Sequence, residues 1–136
     1  MKRTFKIFLL LLVLLTLSLT LSSCKYTSSY KAIGLLRTSK PNYCYAKFHT
    51  LDGKLIFRIK NTNVSEGNIT YSAKLEKGEI NVYYDSLNNQ ELLFNIKEGE
   101  VLNSKGGYIE SGKYIYIIIE TVVPSRGNIE IKFEKN

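Results

Sequence analysis

Two cysteines, one histidine and a short run of oxygen-bearing side chains are the groups in this 136-residue chain that could do chemistry. Cys44 lies inside YCYAKF and His49 follows five residues later. A thiol beside an imidazole is a nucleophile with its base, but residues five apart on one strand point to opposite faces. Cys44, set among alternating aromatic residues, therefore reads as a small buried apolar side chain. His49 and Asp52 flank a turn signal at Asp52-Gly53, where a surface hydrogen bond between them is the expected result, with no nucleophile beside them. A lone histidine excludes a multi-histidine metal site, and GxSxG, HExxH and phosphate-loop patterns are missing. DSLNNQE at 85–91 offers the oxygens of Asp85, Asn88, Asn89 and Glu91. It lacks the EF-hand spacing and glycine, so it reads as a polar loop rather than a calcium site. NVS at Asn63 and NIT at Asn68 match a glycosylation acceptor by composition alone. No catalytic, metal-ligating or cofactor-binding residue is assigned, and the chain reads as a non-enzyme.

Ten tyrosines and no tryptophan leave a different chemistry open. Tyr43 with Tyr45, and Tyr114 with Tyr116, each point to one face of a strand, and paired strands would join them into an aromatic shelf. Such a shelf suits a sugar ring or a partner protein. Tyr114 and Tyr116 are the candidate ligand contacts, with Lys113 and Glu120 as nearby charge. Tyrosine also serves as ordinary cross-strand packing on an exposed face.

Strands must hold these groups, because from Tyr43 onward the apolar period is two. Leu55, Phe57 and Ile59 alternate with Ile56 and Arg58, and Ile69, Tyr71, Ala73 and Leu75 with Thr70, Ser72 and Lys74. Ile80, Val82 and Tyr84 share a face, as do Leu92, Phe94 and Ile96, and Ile129, Ile131 and Phe133. KYIYIIIE is apolar on both faces, as a central strand is. Glu120 marks Tyr114, Tyr116 and Ile118 as its outer set and leaves Ile115, Ile117 and Ile119 for the core. The predicted core is Leu55, Phe57, Ile59, Ile69, Ile80, Val82, Leu92, Phe94, Ile96, Ile115, Ile117, Ile119, Ile129, Ile131 and Phe133.

Turn signals fall between the runs. Asp52-Gly53 reads as a two-residue hairpin. LEKGEI at 75–80 and IKEGEV at 96–101 share one pattern, with Gly78 and Gly99 supplying the left-handed backbone of a short hairpin. SGK at 111–113 and SRGN at 125–128 close later turns. No helical period appears after the N-terminus, which predicts an all-β antiparallel sandwich of seven or eight strands, jelly-roll-like or barrel-like.

The N-terminus has another layout. MKRTFK carries Lys2, Arg3 and Lys6 and no acid, and residues 7–21 carry no charge. A basic start, about 15 apolar residues and then small residues make a secretory signal. The run is short for a permanent membrane helix, which takes roughly 20 residues. Either reading keeps the basic end in the cytoplasm and exports the rest.

Leu21, Ser22, Ser23 and Cys24, directly after the apolar run, resemble the lipobox of bacterial lipoproteins. The resemblance implies that the signal peptide, residues 1–23, is cleaved and that Cys24 receives a diacylglyceryl group, with acylation of the new amino terminus. Two or more acyl chains hold a protein stably on a bilayer. Residues 24–42, rich in Ser, Thr and Lys, read as a lipid-anchored tether, with the apolar cluster Ala32 to Leu36 able to dock as an extra strand or short helix. Residues 43–136 read as the β-sandwich domain. The whole is similar to small, uncharacterised β-sandwich lipoproteins of low-GC Gram-positive bacteria, a likeness that implies location and fold but no activity.

Cleavage before Cys24 leaves 113 residues, a single-domain size. Of the 19 basic residues three lie in the signal, so 16 remain against 12 acids, a net charge of +4. These charges are scattered, so nucleic acid is an unsuited partner. With Cys24 lipidated, Cys44 has no disulfide partner. The expected role is a non-enzymatic binding or interaction module on the outer face of the cell membrane. Its partner would be wall glycan, another envelope protein or a host molecule. An envelope hydrolase or its accessory subunit, and a purely structural lipoprotein, are the alternative readings.

Overall fold

β-Branched and aromatic residues alternating with polar ones build seven strands: β1 (Ser29–Ile33), β2 (Leu36–Lys40), β3 (Tyr43–Lys60), β4 (Gly67–Ser86), β5 (Asn89–Lys97), β6 (Val101–Ile109) and β7 (Tyr114–Lys135). A helix, α1 (Lys2–Thr20), precedes them. The computed structural model describes residues 1–20, 26–63, 67–86, 89–109 and 114–135. Among these, no helix is long and apolar enough to cross a membrane. Cys24 lies outside the described residues.

All neighbours are antiparallel, in the order β1-β3-β7-β4-β5, with β2 also on β3 and β6 also on β4. The apolar β7 is therefore central, as its two-sided hydrophobicity requires. β1 and β2 run in the same direction along β3, and β5 and β6 do so along β4. The sheet is thus five long strands, each bent or broken near its middle.

The bend makes two layers. In the first, β2, β6 and residues 43–48 of β3, 67–75 of β4 and 127–135 of β7 pair. In the second, β5 and residues 54–60, 79–86 and 114–120 pair, with β1 beside the bend of β3. The inner faces of both layers form one core. Tyr71 of the first layer stacks on Phe94 of the second, ring centroids 4.4 Å apart. This is the antiparallel β-sandwich that the alternation predicts.

Turn signals are where the structure departs from the sequence reading. Asp52-Gly53 is not a hairpin: β3 runs through it, and Lys31 and Tyr30 of β1 pair with those two residues. Gly78 and the SRGN stretch likewise sit inside β4 and β7. There the register slips between Leu75 and Ile80, opposite residues 121–127. Gly99 joins β5 to β6 in the same direction, and its N–H donates to the Leu75 carbonyl at the β4 corner, 2.9 Å. These glycines are corners by which strands cross from one layer to the other, a use of bulges that sandwiches share with hairpin turns. Odd slips also reverse the side-chain phase. Even-numbered residues of β3 are buried before its corner and odd-numbered ones after it, so both halves face one core. SGK lies outside the described residues.

Fourteen of the fifteen predicted core residues are buried. Leu92 is the exception, 55 % exposed. Phe94 faces Val82 while Leu92 faces Tyr83, so Leu93 is an extra residue in β5. That bulge turns Leu92 outward and packs Leu93 against the core. β1 and β2 both lie within 24–42, and Ala32 and Leu35 pack on the core. Arg37 of β2 lays its guanidinium 4.7 Å above the Phe57 ring and donates to the Ile56 carbonyl at 3.2 Å.

Candidate functional site

The groups considered for catalysis are kept apart. Cys44 is buried, and burial pushes its thiol far up, out of the range of a nucleophile. His49 is exposed on the other face of β3 and shares a cleft of about 240 Å³ with Lys47, Glu76 and Arg126. Asp52, expected beside His49, is opposite Lys31 in the ladder. The oxygen ligands of 85–91 are partly spent on tyrosines: Tyr26 donates to Asp85 and Tyr84 donates to Glu91. Asn88 lies outside the described residues.

The two tyrosine pairs do not form one shelf. β3 and β7 are antiparallel, so Tyr43 and Tyr45 lie opposite Lys132 and Glu130 while Tyr114 and Tyr116 lie opposite Lys60 and Arg58. They end up on the outer faces of different layers. Tyr43 donates to Glu130 at 3.0 Å. Burial and that bond push its hydroxyl up.

Tyr114 and Tyr116 belong to a denser site on the second layer. One row across three strands carries Arg58, Tyr116 and Asp85, on β3, β7 and β4. Tyr26 lies over this row, its ring stacked on Tyr116 at 4.0 Å and 11° and its hydroxyl bonded to Asp85. Asp85 points outward by alternation, yet it is only 1 % exposed. Ile118, another outward residue, is 2 % exposed. Beside the covered row, Tyr114 is 48 % exposed and carries the Arg58 guanidinium 3.8 Å from its ring centroid, a cation–π contact. The open part of the site is thus an aromatic edge backed by a cation. Lys113 lies outside the described residues, and Glu120 pairs with Lys54 at 3.9 Å.

Sequence reasoning missed Tyr26 and Arg58 and considered Asp85 only as a calcium ligand, not as a partner of Tyr116. Tyr26 sits in a Ser- and Thr-rich stretch with no period, and only the cross-strand register brings the other two to Tyr116.

Burial pushes the Tyr26 hydroxyl up to about 12, helped by its bond to Asp85 and by that carboxylate's charge. An ordinary tyrosine titrates near about 10, so the folded chain holds this proton more tightly than the unfolded one. The stabilisation is complete below about pH 10 and is lost as pH rises through about 12. An absorbance titration of phenolate should lose one late-titrating hydroxyl in Tyr26→Phe. Superimposable curves would show that Tyr26 does not hold Asp85 in solution.

No protein-family model matches the chain. No curated protein matches it in sequence at a significant level. Among solved structures, a family 29 carbohydrate binding module superposes with a TM-score of 0.41 at 11 % identity, covering 78 % of this chain and 78 % of that one. A CBM4 module gives 0.37 at 12 % identity, covering 74 % and 79 %. The cupin domain of Schizosaccharomyces pombe Cnp3 gives 0.33 at 14 % identity, covering 81 % and 70 %. Likenesses of this size say nothing about what the chain binds.

Proposed function

We propose that the mature chain is a lipid-anchored lipoprotein on the outer face of the cell membrane, acting there as a non-enzymatic binding module. The anchor is Cys24, on the strength of LSSC after a basic and apolar leader. The observation that carries the binding role is the exposed Tyr114 ring held against Arg58 on a rigid central strand. Aromatic and arginine side chains are the usual anchors of recognition surfaces. A catalytic role finds no support in a buried thiol and a histidine on the opposite face. The ligand meets Tyr114 first, because Tyr116 is already stacked under Tyr26.

Mass spectrometry of the N-terminal peptide tests the anchor. A diacylglyceryl Cys24 is expected, and an unmodified cysteine in a secreted product would end the lipoprotein reading. For the binding role, crosslinked envelopes are captured with the wild type, Tyr114→Ala and His49→Ala. Tyr114→Ala should weaken capture by about 1 to 3 kcal/mol, and His49→Ala should leave it unchanged. Loss confined to His49→Ala would favour an enzyme instead.

A further inference from the structure

The covered half of the Tyr116 row constrains where the open half can point. From Tyr26 onward the chain is fastened to the second layer without slack. Tyr26 is stacked and hydrogen-bonded, the Ser28 Oγ accepts the Ile56 N–H at 2.9 Å, and Ser29 opens the β1 ladder opposite Lys54. Only Lys25 stands between Tyr26 and Cys24. Two residues span at most about 7 Å when fully extended. With Cys24 lipidated, Tyr26 and the row beneath it lie at the level of the lipid headgroups. A free tether would leave the orientation of the domain open; this short a reach does not.

What that end of the layer presents suits such a surface. Arg58 and Lys60 are exposed cations, and Tyr114, the first residue of β7, is half exposed opposite Lys60. Of the nearby carboxylates, Asp85 is buried beneath Tyr26, Glu120 pairs with Lys54, and Glu91 accepts the Tyr84 hydroxyl while keeping its charge. Cations seek anionic headgroups, and tyrosine favours the boundary between water and hydrocarbon.

We propose that Tyr26 is a clamp that lays the outer face of the second layer, at Arg58, Lys60 and Tyr114, against the anionic lipid headgroups of the membrane that holds Cys24. The inference rests on the lipid-anchor reading and names the partner of the same binding face. Tyr26 sets the angle of the domain, and Arg58, Lys60 and Tyr114 make the contact.

The test uses the mature chain, lipidated at Cys24, in vesicles of phosphatidylglycerol and phosphatidylcholine. Cys44 is buried, so a fluorophore can be placed selectively by Gln90→Cys, an exposed position opposite Asp85 in the same row, or, on the other layer, by Lys132→Cys. Headgroup nitroxide lipids should quench position 90 several-fold more than position 132. Tyr26→Ala should abolish the difference. So should insertion of ten Gly/Ser residues between Lys25 and Tyr26, which keeps the clamp but adds a mean reach of about 17 Å. Arg58→Gln with Lys60→Gln should reduce quenching at position 90 in anionic vesicles and leave it unchanged in pure phosphatidylcholine. Equal quenching at 90 and 132 in the otherwise unaltered chain, or a difference that survives the insertion, would overturn the proposal. So would capture of a glycan or protein through Tyr114 while position 90 stays unquenched. A chain that fails to float with the vesicles would instead strike down the lipid anchor.

Discussion

Phe57→Ala should lower the unfolding free energy by about 3 to 5 kcal/mol, the range for removing a fully buried phenylalanine. Phe57 is 1 % exposed, lies opposite Ile117 on the central strand and is capped by the Arg37 guanidinium. A loss of this size is a large part of the roughly 5 to 15 kcal/mol that holds a domain together. Leu92→Ala is the matching control. By alternation Leu92 belongs to the same core, but the bulge at Leu93 turns it outward, so its loss should stay within about 0.5 kcal/mol. Denaturant titration of both variants decides the matter. Comparable losses would mean that β5 carries no bulge and that the simple alternation is correct.

Gly78→Ala should destabilise the domain far more than Gly99→Ala, although both glycines occupy the same Glu/Lys-Gly-Glu setting. Both have left-handed backbone, with φ of 94° and 81°. For a residue with a Cβ this costs about 1 to 3 kcal/mol. At Gly99 that is the whole effect, because a Cβ there meets nothing within 4 Å. At Gly78 a Cβ would stand 2.2 Å from the Ser125 Oγ and 2.8 Å from the Pro124 carbonyl oxygen. Ser125 is buried, and its hydroxyl accepts the Glu79 N–H at 3.2 Å and donates to the Val123 carbonyl at 2.6 Å. Displacing it adds about 0.5 to 1.5 kcal/mol for each bond disturbed. A total of about 2 to 6 kcal/mol is expected for Gly78→Ala, read as a shift of the denaturant midpoint. Equal effects at the two glycines would mean that β4 and β7 do not cross layers in contact.

Much of this protein is set by local pattern. The basic start and apolar run fix the character of residues 2–20. Period-two alternation fixes strand and inner face for Phe57, Ile80, Ile117 and Ile131, because a strand side chain has only two directions and water penalises apolar groups on one of them. The two-sided run Tyr114 to Glu120 marks the central strand for the same reason. Glycine is legible only as a place where the backbone turns freely. Its φ permits a hairpin and a layer-crossing corner equally, so Asp52-Gly53 and Gly78 read as strand ends until the register of β1 and β7 shows strands passing through. A bulge such as that at Leu93 leaves no mark in composition, since it is imposed by the partner strand. The site is further still from local pattern. Tyr26 and Asp85 are 59 residues apart, and Arg58 meets Tyr116 only through antiparallel pairing. No period or motif encodes such a meeting. The sequence determines which residues seek the core and which strand is central. The tertiary register alone decides that a tyrosine from the presumed tether lies over Tyr116, because contact there depends on how the five bent strands align.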